Sequence, residues 1–236
     1  MNTIISKKTD FIDLGLIDYL QAWDRQTQLF NSILEVKSQN RTQGDQQQIT
    51  NNYLLFCEHP HVFTLGKSGD ENNLLLKREE LNSIRATYYH INRGGDITYH
   101  GPGQIVVYPV IDLENFFTDI HQYMRLLEES VIQTLAHFGI ESGRIKGLTG
   151  VWLGDESSAR KICALGVKTS RWVTLHGLAF NVNPDLSYFS YIVPCGINNK
   201  AVTSLEREVG AQVDFALTKS ILKEKIVTLF GMEIVN

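Results

Sequence analysis

The residues with the most chemical potential are Cys195, in "VPCGI", and Lys161, in "RKICALGV". A nucleophilic cysteine needs access and a neighbour that favours its thiolate. Pro194 sets the approach to Cys195, and Gly196 leaves the sulfur unobstructed. Cys57 in "LLFCEH" and Cys163 in "ICALGV" sit in apolar strand patterns and read as inert core thiols. Lys161 heads a buried strand. Its bland reading is snorkelling at a sheet edge, and its chemical reading is an ammonium held beside a thiol. Alternation along the strand puts Lys161 and Cys163 on one face, and Ile162 and Ala164 on the other. An ammonium about 4 Å from a thiolate gains about 4 kcal/mol at an effective dielectric of 20, before desolvation. That is ample to bring an ordinary thiol, of pKa about 8.5, below neutrality. His100 and His176 are further candidate bases, but a histidine before glycine at a strand is more often structural. On these residues alone, an inert and a nucleophilic Cys195 stand about level.

A second unusual stretch is "INRGGDITYHGPGQIVVYPVIDL", residues 91–113. Two glycine pairs, Arg93, Thr98, Tyr99 and His100 stand directly before an apolar strand. A tight corner explains Gly101-Pro102-Gly103. Arg93-Gly94-Gly95 is harder to explain structurally, because a charge and two glycines at a strand end is costly without a purpose. The stretch is not a phosphate loop, since no Gly-Lys-Ser/Thr follows. Cys57, His59 and His61 alternate in "CEHPH", but Pro60 interrupts them and no second cluster has zinc spacing. No metal site is expected, and "VFTLG" reads as pocket lining.

These residues need elements to hold them. Leu16, Leu20, Trp23, Thr27, Phe30 and Leu34 recur at helical spacing, predicting a helix over 16–37. The Gln-rich stretch 38–50 reads as an exposed, mobile insert. "YLLFCEH" predicts a strand ending at Pro60, "REELNSI" a short helix, and "TYYHI" a strand leading into the glycine loop. Ile120, Met124, Leu127, Val131, Leu135 and Phe138 predict a second long helix stopped by Gly139. "TGVWLG", "KICALGV" and "VTLHGLAFNV" predict clustered strands, and 214–230 a final helix closed by Gly231. No repeat or linker divides the chain, so 1–236 reads as one α/β (α+β) domain, a sheet covered by helices.

Composition narrows the function. The chain has 236 residues, 43% hydrophobic and 20% charged, as globular proteins do. A net charge of −4 argues against a nucleic-acid binder. There is no apolar run of transmembrane length and no signal-peptide pattern at the N-terminus. Three cysteines without paired spacing suggest free thiols in a reducing cytoplasm.

"CEHPHVFTLG", "RGGDITYHGPGQIVVYPVIDL", "RKICALGVKTSRWVTLHGLAFNV" and "VPCGI", in this order, resemble the lipoyl(octanoyl) transferase family. The resemblance is dense over 53–205. It implies the fold of lipoate and biotin protein ligases: a mixed, mostly antiparallel sheet flanked by helices. It implies transfer of an octanoyl group from octanoyl-acyl carrier protein to a lysine, with no cofactor. The implied acceptors are lipoyl domains of 2-oxoacid dehydrogenase complexes and the glycine cleavage H protein. It carries the roles of acyl-bearing cysteine and neighbouring lysine onto Cys195 and Lys161. It carries substrate contact onto Arg93, Gly94, Gly95, Asp96, Ile97, Thr98, Tyr99 and His100. The same role falls to Ala164, Leu165 and Gly166, and to Gly177, Leu178 and Ala179. On this reading Arg93, Tyr99 and His100 frame the mouth of an acyl tunnel. Arg93, Lys168 and Arg171 are the expected basic docking residues for an acidic carrier. An ATP-dependent ligase is disfavoured by Cys195 and by the lack of a Gly-Arg-Gly-Arg-Arg-Gly loop. Two further functions compete with transfer: a non-catalytic acyl-protein binding module, which would not need Cys195, and a thioesterase-like hydrolase, which would release free acid.

Overall fold

A computed structural model describes residues 5–42, 47–155, 157–193 and 201–235. The strands are β1 (Lys8–Leu16), β2 (Asn52–Glu58), β3 (Val62–Leu65), β4 (Thr87–His90), β5 (Thr98–His100) and β6 (Gln104–Val110). They continue with β7 (Gly143–Ile145), β8 (Leu148–Leu153), β9 (Arg160–Ser170), β10 (Val173–Asn181), β11 (Ala201–Val202) and β12 (Glu233–Ile234). The α-helices are α1 (Tyr19–Asn40), α2 (Ile120–His137), α3 (Leu205–Val209) and α4 (Phe215–Phe230). The main sheet runs β12-β1-β2-β6-β10-β9-β8-β7, with β11 also paired to β9. It is mixed and mostly antiparallel, since β1 joins β2 and β12 in parallel and β11 joins β9 in parallel. A second, three-stranded sheet runs β4-β3-β5.

Both faces of the main sheet are covered. α2 and α4 pack on one face over Leu54, Ile105, Val107, Ile162 and Phe180. α1 covers the other face over Leu55, Val106, Tyr108 and Leu175. That double cover is why β6 and β10 are apolar without alternation, and every residue of both strands is buried. Among the described residues, no helix is long and apolar enough to cross a membrane.

The first helix starts later than its periodicity predicts. Residues up to Leu16 form β1, and Asp18 caps α1 by accepting from Leu20 N at 2.8 Å. Its buried stripe is Tyr19, Ala22, Gln26, Leu29, Phe30 and Ile33, while Leu20 is 43% exposed. Gln26 hides the stripe in the sequence: it is buried because its Oε1 accepts from His176 N at 3.1 Å. The helix also runs on to Asn40, into the stretch read as insert. Asn40 pairs with the backbone of Gln48 at 2.8 Å in both directions, closing that loop, and residues 43–46 lie outside those described. "REELNSI" forms a 3-10 rather than an α-helix. α2 and α4 begin after caps at Asp119 and Asp214 and end at Gly139 and Gly231, close to their predicted limits.

Candidate active site

A cavity of ≈ 570 Å³ lies between α1, the glycine loop after β4, and strands β6, β9 and β10. Lys161 lines it at one end of β9. Val167, which also lines it, is paired with His176 and accepts from Gly94 N at 3.0 Å. At ~3.3 Å per residue, the stretch of β9 from Lys161 to Val167 is about 20 Å long.

Alternation along β9 fails at its head. Trp152 of β8 pairs with Lys161 and Val151 pairs with Cys163, so β9 carries one extra residue, Ile162. This bulge sends Ile162 and Cys163 together into the core beneath α2, both fully buried. Lys161 and Ala164 therefore share the cavity face, and Cys163 does not stand with Lys161 as alternation required. Burial raises the Cys163 and Cys57 thiols well above their ordinary range, which agrees with inert core thiols. Cys195, the expected nucleophile, lies outside the described residues. The chain is described again at β11, where Ala201 and Val202 pair with Arg160 and Lys161, and Thr203 N donates to Lys161 O at 2.9 Å.

The expected substrate-contact segments converge. Arg93, Gly94, Gly95, Asp96, Ile97, Thr98 and His100 line the cavity. So do Ala164, Leu165 and Gly166 from β9, and Gly177, Leu178 and Ala179 from β10. Tyr99 does not. Alternation along β5 turns it away, onto Phe63, Tyr188 and Phe189, with its hydroxyl 2.7 Å from His61 Nδ1.

The polar groups at the Arg93 end are held by the protein. Arg93 is 8% exposed and donates through Nη2 to Thr64 O at 2.7 Å and Thr64 Oγ1 at 2.9 Å. That burial removes it from a tunnel mouth and from any docking surface. Of the other docking candidates, Lys168 lies over the Phe30 ring, and Arg171 is exposed at the β9–β10 turn with positive φ. His100 is buried, stacked on Tyr19 with centroids 5.9 Å apart, and its Nδ1 is 3.3 Å from Gln104 Oε1. His59 Nδ1 is 2.8 Å from Ile17 O, which only accepts, so Nδ1 carries the proton and Nε2 accepts from Tyr108 at 2.8 Å. Desolvation lowers His59 to about 4 and His176 to about 3, and holds His100 well below its ordinary value, so all three are neutral at pH 7. His59 is thus a buried strut, with both ring nitrogens engaged within the protein. Among the described residues, no three His, Cys, Asp or Glu are grouped to hold a metal.

Glycines let backbone lie on backbone here. A Cβ on Gly166 would stand 2.9 Å from Gly94 O, and one on Gly177 would stand 2.0 Å from Val107 O. The first glycine seats the Arg-Gly-Gly loop on β9, and the second lets β10 pack on β6. Asp96 ties the loop down, accepting from Ile97 N at 2.7 Å and from Asn73 Nδ2 at 2.6 Å.

Residues 18–227 match the model of the lipoyl protein ligase A/B catalytic domain. The chain belongs to this family. An octanoyltransferase of Cytophaga hutchinsonii is 58% identical over 95% of this chain and 93% of its own length. One of Flavobacterium johnsoniae is 58% identical over 98% of this chain and all of its own. Among solved structures, lipoate-protein ligase A bound with ATP matches 99% of this chain and 90% of its own, with TM-score 0.65 and 13% identity. A bi-partite lipoate protein ligase from Thermoplasma acidophilum matches 97% of this chain and 88% of its own, with TM-score 0.65 and 16% identity. At those identities the likeness is one of fold, and it agrees with the mixed, helix-flanked sheet.

Sequence reasoning missed Tyr19, Tyr108 and Trp152, which also line this family member's cavity. Tyr19 had a signal in Asp18, whose capping role starts the helix at the next residue. Trp152 had one too, in its place on the strand "TGVWLG". Tyr108 had none, because a tyrosine inside an apolar run reads as core.

Proposed function

We propose that this protein transfers an octanoyl group from a carrier-protein thioester to a protein lysine through an acyl thioester on Cys195, with Lys161 as its acid–base partner. The coarser statement, octanoyl transfer in protein lipoylation, is the activity of relatives 58% identical over nearly the whole chain. The observation that carries the finer reading is the place of Lys161. Its side chain lines a cavity that continues between small residues, Ala164 and Ala179, and reaches apolar Leu165 and Leu178. The strand that pairs with Lys161 follows the Cys195 segment by a few residues.

The enzyme rests as a thiolate–ammonium pair. Cys195 sulfur attacks the donor's carbonyl carbon, and the carrier's carbon–sulfur bond breaks. The departing thiolate takes the Lys161 proton, leaving acyl-Cys195 beside a neutral amine. An acceptor lysine, as free amine, then attacks the acyl carbon. Its nitrogen gives a proton to Lys161, the new amide forms, and the Cys195 thiolate is released. Each thioester stores enough reactivity for the next step, so ATP is not consumed. The reading places the reaction in the cytoplasm. It takes octanoyl-acyl carrier protein as donor and lipoyl domains and the glycine cleavage H protein as acceptors.

Incubation with octanoyl-acyl carrier protein and no acceptor tests it. One octanoyl mass should appear, labile to hydroxylamine and mapping to the peptide containing Cys195. Full transfer with the enzyme never acylated would point instead to direct transfer in a ternary complex.

A further inference from the structure

Lys161 stands on a built platform. Its Nζ is 4.6 Å from the centroid of the Trp152 ring, and the two residues are paired across β8 and β9. Trp152 is 3% exposed. The lysine stem runs over Gly150, where a Cβ would stand 3.4 Å from Lys161 Cε and 2.7 Å from Cys163 O. Gly150 N donates at 3.0 Å to Oε1 of Glu128, which is 1% exposed. The other carboxylate oxygen takes Arg125 at 2.6 Å and Arg144 at 2.9 Å. Helix α2 thus clamps β8 beneath the lysine, and the bulge at Ile162 turns the lysine over the ring.

The face of an indole ring is the negative side of its quadrupole and attracts an ammonium, more strongly once both are withdrawn from water. A lysine side chain has many rotamers, and a ring beneath its tip selects among them. We propose that Trp152 is the positioning residue for Lys161: its ring face holds the ammonium at the cavity wall, and the transfer rate depends on Trp152 through that cation. This rests on Lys161 belonging to the catalytic pair, as argued above.

Fluorinated tryptophans weaken the ring's negative face while nearly keeping its shape. The protein is produced with native, monofluoro- and tetrafluorotryptophan, and kcat and KM for octanoyl-acyl carrier protein are measured. The expected result is a stepwise fall in kcat, on the order of tenfold at full fluorination, with KM within about twofold. The series is repeated in Trp152→Phe, because Trp23 and Trp172 are replaced too. There the slope should vanish. A flat series in the native background, a change confined to KM, or a slope persisting in Trp152→Phe would each overturn the proposal. Lys161→Ala separates the two levels. If it transfers at nearly the native rate, the catalytic reading of Lys161 fails and the positioning role falls with it. If it is slow while the fluorination series is flat, only the positioning role is lost.

Discussion

The two ends of the cavity make opposite use of polar residues. At the Arg93 end, a guanidinium, three imidazoles and two tyrosines crowd together. Each imidazole makes at least one polar contact within the protein, to Ile17 and Tyr108, to Gln104, or to Asn92, and all three are held neutral by burial. At the Lys161 end, a lysine tip is carried on an aromatic face with small and apolar residues beside it. Among the described residues the Arg93 end reads as scaffold, and the chemistry proposed above falls at the Lys161 end. On that proposal, density of polar side chains is a poor guide to reactivity. At the Arg93 end the guanidinium and the imidazoles are engaged in hydrogen bonds within the fold.

The largest effect expected from this contrast is at Cys195. Cys195→Ala should abolish octanoyl transfer, by more than about a thousandfold, with an unchanged circular dichroism spectrum, whereas Cys57→Ala and Cys163→Ala keep measurable turnover. Near-native transfer by Cys195→Ala would remove the covalent route. Next comes Lys161→Arg, which keeps the charge but cannot release its proton. Octanoyl-Cys195 should form slowly and then accumulate, with acceptor modification slowed about a hundredfold or more. Following the two masses separately in time shows it, and a normal second step would return Lys161 to a purely electrostatic part.

The other end should respond through stability. Gly177→Val directs a side chain at Val107 O, so it should cost about 1–3 kcal/mol or more by urea denaturation. The folded fraction should retain native kinetics for octanoyl donors. A raised KM with an unchanged denaturation midpoint would instead make Gly177 an acyl-contact position first.

Acid should also act at that end. His59 and His176 bind protons less readily folded than unfolded, where an imidazole titrates near 6.5. Below 6.5 the unfolded chain takes up protons that the native state refuses, so stability falls as pH drops toward about 4 for His59 and about 3 for His176. Each contributes a slope of up to about 1.4 kcal/mol per pH unit in that window. Calorimetry in two buffers at pH 5 should record net proton uptake on unfolding from these groups. Uptake unchanged in a His59→Gln variant would show that this histidine is not held neutral. The smallest effect belongs to docking: Arg171→Glu should lower the rate a few-fold at low salt and little at high salt, because exposed charge is screened.

Much of this molecule is legible in sequence because its signals are local. Helical spacing and terminal glycines place α2 and α4, and the four motifs in order give the family and name the segments that converge on the cavity. The pairing of Cys195 with Lys161 is an implication of that family resemblance and stays part of the proposal. Other features are decided by contacts distant in the chain. Strand β1 is missed because it borrows its identity from parallel partners at β2 and β12. The face of α1 is misread because buried Gln26 answers a backbone N–H at His176. Arg93 looks like a surface cation and is buried by the carbonyl and hydroxyl of Thr64. The bulge at Ile162 exists only against β8, and by adding one residue it moves Cys163 into the core and sets Lys161 over Trp152. Local pattern states which residues have the means for chemistry; the register between strands, fixed by long-range hydrogen bonds and packing, decides which face each one meets.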